Sequence, residues 1–251
     1  MSGLDDSSLI AGFVVFCRIG ACLSFAPGFS SARIPVRLRL FAALGLTVAL
    51  SPAIATEAEA PFANLESSRL AAFIVQECAT GAAMGMMART FFSSLETMFA
   101  AASMSIGMTS SFAPRIDEGD STPELAAFVL FATTSLLFVS DLHWEIAHAI
   151  RDSYTALPIG YSLTPRLAVA NMAETLSFGF SLAFRLASPF LVFGLVSNFG
   201  FALVNKITPQ IAIYFVAAPF VLVGGLSLLA VAYPNISMKF LSAFEAWLRR
   251  I

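Results

Sequence analysis

Four titratable residues stand at helical spacing in the most polar stretch of the chain: Asp141, Glu145, His148 and Asp152. Residues three and four apart share one helix face, so this stripe could hold a metal ion or relay protons. Turn residues and two arginines bound the segment, and its plainer reading is a solvated helix face outside the hydrocarbon. A second set is more unusual: Arg18, Glu77 and Arg185 lie inside apolar runs, with Arg89 beside one. A charge at the centre of a bilayer costs at least about 2.5–3.5 kcal/mol, so such residues pair or line a wet cavity. They could form a proton or substrate path, or structural ion pairs that lock helices together or meet partner subunits; the structural reading is preferred. Nothing resembles HExxH, GxSxG or a phosphate-binding loop, so no catalytic residue, metal or cofactor is expected. Cys17, Cys22 and Cys78 form no CxxC pair and read as small core hydrophobes.

The elements that must position these residues follow from composition. Of 251 residues, 58% are hydrophobic and only 12% charged, against about a quarter charged in a soluble domain. Twenty-five Phe stand against 14 Lys plus Arg and 16 Asp plus Glu, more apolar surface than one globule of this size can hide. A net charge of −2 without basic clusters argues against nucleic acid as a partner. The first apolar run is preceded by Asp5 and Asp6 rather than basic residues, and no cleavable signal peptide is expected.

Apolar segments fall at about 9–26, 40–55, 70–87, 95–111, 125–140, 175–205 and 207–238, followed by a short amphipathic tail ending in Trp247, Arg249 and Arg250. Barrel strands run about 10 residues with strict alternation, whereas these runs are longer and continuous. The expected fold is all-α: an integral membrane helical-hairpin protein of six or seven apolar helices, in one membrane-embedded domain over 1–251. Arg33, Arg37 and Arg39 place the first loop on the cytoplasmic side, Glu57, Glu59 and Glu66 fall outside, and Lys239, Arg249 and Arg250 put the C-terminus inside. The N-terminus is then expected to be periplasmic.

Two local patterns bear on packing. Gly81 and Gly85 form a GxxxG pair that permits close helix approach in lipid. With Met84, Met86 and Met87 it reads either as lipid-facing filler or as a contact with another subunit. The run from Ser103 to Asp120 is poor helix material for its Gly and Pro content. It reads as an external connector, or as a loop whose Ile106, Met108 and Phe112 close a pore by dewetting.

Several stretches resemble the FliR/SctT family of type III export-gate membrane proteins, most of all its flagellar branch. The N-terminal FCRIGACLSFAPGFSSARIPVRLRL is similar to the family's opening, with Arg18, Pro27, Pro35, Arg37 and Arg39. Gln76-Glu77 with Gly81 and Gly85 resembles its glycine-spaced helix. YTALPIG resembles the flagellar motif, with Leu157, Pro158 and Gly160, and TPQIAIYFVAAPFVLVGG resembles the Pro-Gln signature, with Pro209, Gln210, Pro219 and Gly225. The likeness covers nearly the whole chain. It departs at Ala212, where many members carry Asn, at Ala218, and at Asp141 to His143, where a Gly-His pair is usual.

That resemblance implies a core subunit of the gate through which unfolded flagellar proteins are exported, at the basal body in the bacterial inner membrane. It implies assembly with FliP and FliQ, contact with FlhB and FlhA, and no enzymatic activity. An inward loop that helps close the pore falls at Ser105 to Gly119, so Ile106, Gly107, Met108, Phe112, Pro114 and Gly119 are the expected plug residues. The rival expectations are the equivalent subunit of a virulence injectisome, a stand-alone proton-coupled transporter using Arg18, Glu77 and Arg185, and a membrane enzyme built on the Asp141–Asp152 stripe.

Overall fold

The computed structural model describes residues 6–31, 34–58, 67–108, 123–161, 164–210 and 213–250. They form seven helices: α1 (Asp6–Phe25), α2 (Val36–Ala58), α3 (Ser67–Ser105), α4 (Glu124–Val139), α5 (Leu142–Ala156), α6 (Pro165–Ile207) and α7 (Ile213–Leu248). Among the described residues there is no strand, and the protein is all-α. Arg33, Glu59, Glu66, Phe112, Pro114, Gly119 and Ala212 lie outside the described residues.

Two expected boundaries are corrected. The run at 70–87 and the part of the run at 95–111 as far as Ser105 are one 39-residue helix, α3. Hydropathy dips around Arg89 and Glu96, yet no Gly or Pro occurs between Met86 and Ile106, and a polar residue does not stop a helix as those two do. The tail is no separate amphipathic helix either; it continues α7 to Leu248. The true breaks follow from backbone chemistry. Pro165 opens α6 at its first helical position, where a missing N–H costs nothing. Pro158 cannot continue α5, and Leu157 before it leaves helical geometry at φ −133, ψ 82. Between α4 and α5, Asp141 takes a left-handed φ of 57.

Among the described residues three helices are long and apolar enough to cross a membrane, within α3, α6 and α7, and α4 with α5 adds a fourth span if that broken pair is counted as one. At 43 residues α6 is about 65 Å long, roughly twice the thickness of a hydrocarbon core. Serine and threonine are accommodated in these helices by donating to a carbonyl one turn back, as Thr47 does to Ala43 and Ser227 to Val223.

The chain groups into two compact units. The first takes Met1–Thr90, Leu137–Leu176 and Glu245–Ile251. Here α1 packs on α2 and α2 on α5, and α5 is amphipathic, with Leu142, Ile146, Ile150 and Tyr154 buried. The second takes Phe91–Leu136 and Ser177–Phe244. Its core is aromatic: Phe91 and Phe92 of α3 meet Phe240 and Phe244 of α7 at centroid separations of 5.0–5.4 Å. Phe99 meets Phe190 of α6 edge-on at 5.6 Å, and Phe128 of α4 meets Tyr233 at 5.9 Å.

Candidate functional site

The first unit is organised around a charge. Arg18 on α1 and Glu77 on α3 have no exposed surface. Their side chains pair twice, Nε to Oε2 at 2.5 Å and Nη2 to Oε1 at 2.9 Å, the fork geometry that suits guanidinium and carboxylate. The remaining donors are also used. Nη1 donates to Ser153 Oγ at 3.2 Å and Nη2 to the Leu157 carbonyl at 3.0 Å. The Tyr154 ring lies over the guanidinium carbon at 4.0 Å, and the Gly160 amide donates to the Glu77 carboxylate. A buried charge pair is tolerable only when its leftover hydrogen-bonding groups are satisfied. The end of α5 and the Leu157–Gly160 turn satisfy them here.

That turn needs its glycine. Gly160 has a φ of 92, and a Cβ there would stand 2.7 Å from Phe73 Cε1. The GxxxG pair serves the same packing. A methyl on Gly81 would collide with the Arg18 carbonyl, and one on Gly85 with the Cys22 carbonyl and Phe25. The close helix approach these two glycines permit is made with α1 of the same chain.

The second unit holds the start of the unusual run. Helix α3 continues to Ser105 and closes with a glycine cap: the Met108 amide donates to the Ser103 carbonyl at 2.9 Å and the Gly107 amide to the Met104 carbonyl at 3.2 Å. Gly107 takes the left-handed conformation this cap requires, with φ 76. Ser103 Oγ adds a bond to the Met108 carbonyl at 2.7 Å. Ile106 is fully buried and packs on Gly225 of α7, where an added Cβ would stand 2.8 Å from Ile106 Cδ1. On α6, Gly194 lies against Ser105, and Asn198 Nδ2 donates to the Ser105 carbonyl at 3.2 Å. Ile106 is thus enclosed within the second unit, between the end of α3 and α7. Met108 is half-buried.

The other expected residues are dispersed. Asp141, His148 and Asp152 are exposed and Glu145 half-buried on the outer side of α5. Glu145 pairs with Arg249 and Asp152 with Arg151. Arg185 is exposed on α6 in the second unit, so the three intramembrane charges do not form one cluster within either unit. Pro209 and Gln210 form the exposed turn after α6, and Pro219 is exposed on α7. Sequence reasoning missed the roles of Ser153, Tyr154, Gly194 and Asn198. The first two were open to inference, because a buried arginine that pairs with one carboxylate still has donors to satisfy.

Residues 9–247 match the family described as bacterial export proteins, family 1. Among curated relatives, the flagellar biosynthetic protein FliR of Caulobacter vibrioides is 35% identical over 90% of this chain and 89% of its own. The FliR of Escherichia coli K12 is 27% identical over 88% and 83%, and that of Aquifex aeolicus is 24% identical over 96% and 92%.

Proposed function

The chain belongs to the bacterial export proteins, family 1, and on that premise we propose that it serves as a membrane-embedded core subunit of the flagellar export apparatus. The observation that carries this reading is the near full-length match, residues 9–247 to the family and 90% of the chain to a flagellar relative. The surface of the chain supports it. Only 17% of the most apolar stretch of α6 and 22% of that of α7 are buried within the chain. Such helices need cover from lipid or other subunits, and α3, α6 and α7 are each longer than a bilayer requires.

In this reading the subunit does no chemistry. It assembles with FliP and FliQ, meets FlhB and FlhA, and sits in the inner membrane at the basal body with its N-terminus periplasmic and its C-terminus cytoplasmic. The segment hung from the Gly107 cap contributes to closing the channel, with Met108, Phe112, Pro114 and Gly119 in the closure and Ile106 fixing its root. Arg18 and Glu77 are structural, which leaves a stand-alone proton-coupled transporter without its central residues. The flagellar rather than the injectisome role is favoured because the relatives named above are flagellar.

A strain lacking this chain tests the proposal. Loss of swimming and of filament-protein secretion, both restored by the wild-type chain, is the expected result. Retained swimming with loss of host-directed secretion would move the protein to the injectisome class.

A further inference from the structure

Arg185 stands near the middle of α6 and is the only charged residue between Glu174 and Lys206. It is exposed, and among the described residues no carboxylate pairs with it. Its backbone, by contrast, is closed. Pro189, four residues on, has no N–H to offer the Arg185 carbonyl. The Ser188 hydroxyl donates to that carbonyl instead, at 2.9 Å. The guanidinium is what remains open.

The face around it is apolar along its whole length. Phe178, Val192, Val196, Phe199, Leu203 and Ile207 recur at helical spacing on the Arg185 side of α6, and all are exposed. From Phe178 to Ile207 this stripe is about 44 Å long, whereas a hydrocarbon core is about 30 Å thick. A bilayer that takes in Phe178 therefore sinks Arg185 about 10 Å into hydrocarbon. One that stops at Arg185 leaves Phe178 in water. Lipid satisfies one end or the other. A protein face lying along the stripe satisfies both, provided that it brings an anion to Arg185.

We infer that this stripe of α6 is an interface with another membrane subunit, whose helix carries an aspartate or glutamate that pairs with Arg185. The inference rests on the reading of the chain as a subunit of the export apparatus. A second copy fails as the occupant. The stripe holds no acid, and a two-fold pairing of this face would set one arginine against the other or against apolar side chains. Arginine suits the role because its planar fork takes both oxygens of a carboxylate.

The test places photoreactive benzoylphenylalanine at Ser181, exposed one turn before Arg185 on the same face, in the full chain in its native membranes. Illumination is expected to join it to another membrane subunit, within an apolar stretch that contains Asp or Glu. Adducts with lipid only, with a copy of this chain or with a soluble protein would overturn the inference. Charge exchange gives the second readout. Arg185→Glu should lower recovery of that subunit on a tag carried by this chain at least about tenfold, and Arg185→Lys should retain more of it than Arg185→Leu. Replacing the crosslinked acid by Arg in the Arg185→Glu background should restore recovery, which it would not do for a merely misfolded chain. Full recovery with Arg185→Glu, or no rescue by the exchange, would overturn the inference and leave the export-subunit reading intact. A wild-type chain that recovers no other subunit would remove both.

Discussion

Both carboxylate oxygens of Glu77 are held by Arg18, 59 residues away in sequence, inside a protein whose composition would place both in hydrocarbon. The pair joins α1 to α3, and its spare donors recruit the end of α5. One interaction therefore fixes three helices of the first unit.

Removing one partner should be costly and removing both much less so. Glu77→Gln or Arg18→Met leaves an uncompensated buried group, worth about 3–5 kcal/mol, while replacement of both by apolar residues is often close to neutral. Thermal unfolding of the purified chain in detergent should show a large drop for each single variant and substantial recovery in Arg18→Met/Glu77→Met. A double variant as unstable as the sum of the singles would contradict the account.

The exposed pair of Arg249 with Glu145, at 3.3 Å and with the arginine side chain 62% exposed, makes the contrasting case. Arg249→Ala should change stability by no more than about 1 kcal/mol, since solvent screens surface pairs. The same unfolding series measures it.

Glycines divide into two groups by what surrounds them. Gly81→Ala and Gly85→Ala push a methyl into the α1 backbone and should destabilise by about 1–3 kcal/mol. Gly20 and Gly45 face open space in the isolated chain, so alanine there should stabilise by about 0.5–1 kcal/mol through reduced backbone entropy loss. Equal effects at Gly81 and Gly20 would mean that α1 and α3 do not meet as described.

The cap after α3 offers a functional readout. Gly107→Val places a β-branched residue at φ 76, a strain of about 1–3 kcal/mol. Ile106→Ala opens space under Gly225, at about 2–5 kcal/mol for such truncations. In correctly assembled gates, both should raise ion leak in planar-bilayer recordings, as should Phe112→Ala or deletion of Ile106 to Phe112. Unchanged conductance across the series would remove this segment from the closure.

Much of the fold was legible from the residues because apolar runs too long for barrel strands leave few alternatives to helices. The continuity of α3 was not, since hydropathy falls near Arg89 while helix propensity does not. Arg18 and Glu77 were singled out because a charge in an apolar run is costly wherever it sits. Their further partners, Ser153, Tyr154 and Gly160, lie more than 70 residues on, and only tertiary packing brings them there. For Ile106 the residue type was informative and its direction was not: an apolar side chain at a helix end can face a lumen or a core, and Gly225 decides for the core.

The role as an export-gate subunit is tested most directly by the composition and mass of the complex purified through an affinity tag on this chain. A large hetero-oligomer containing other membrane subunits of the flagellar export apparatus is the expected result. A stable monomer under mild detergent would contradict it.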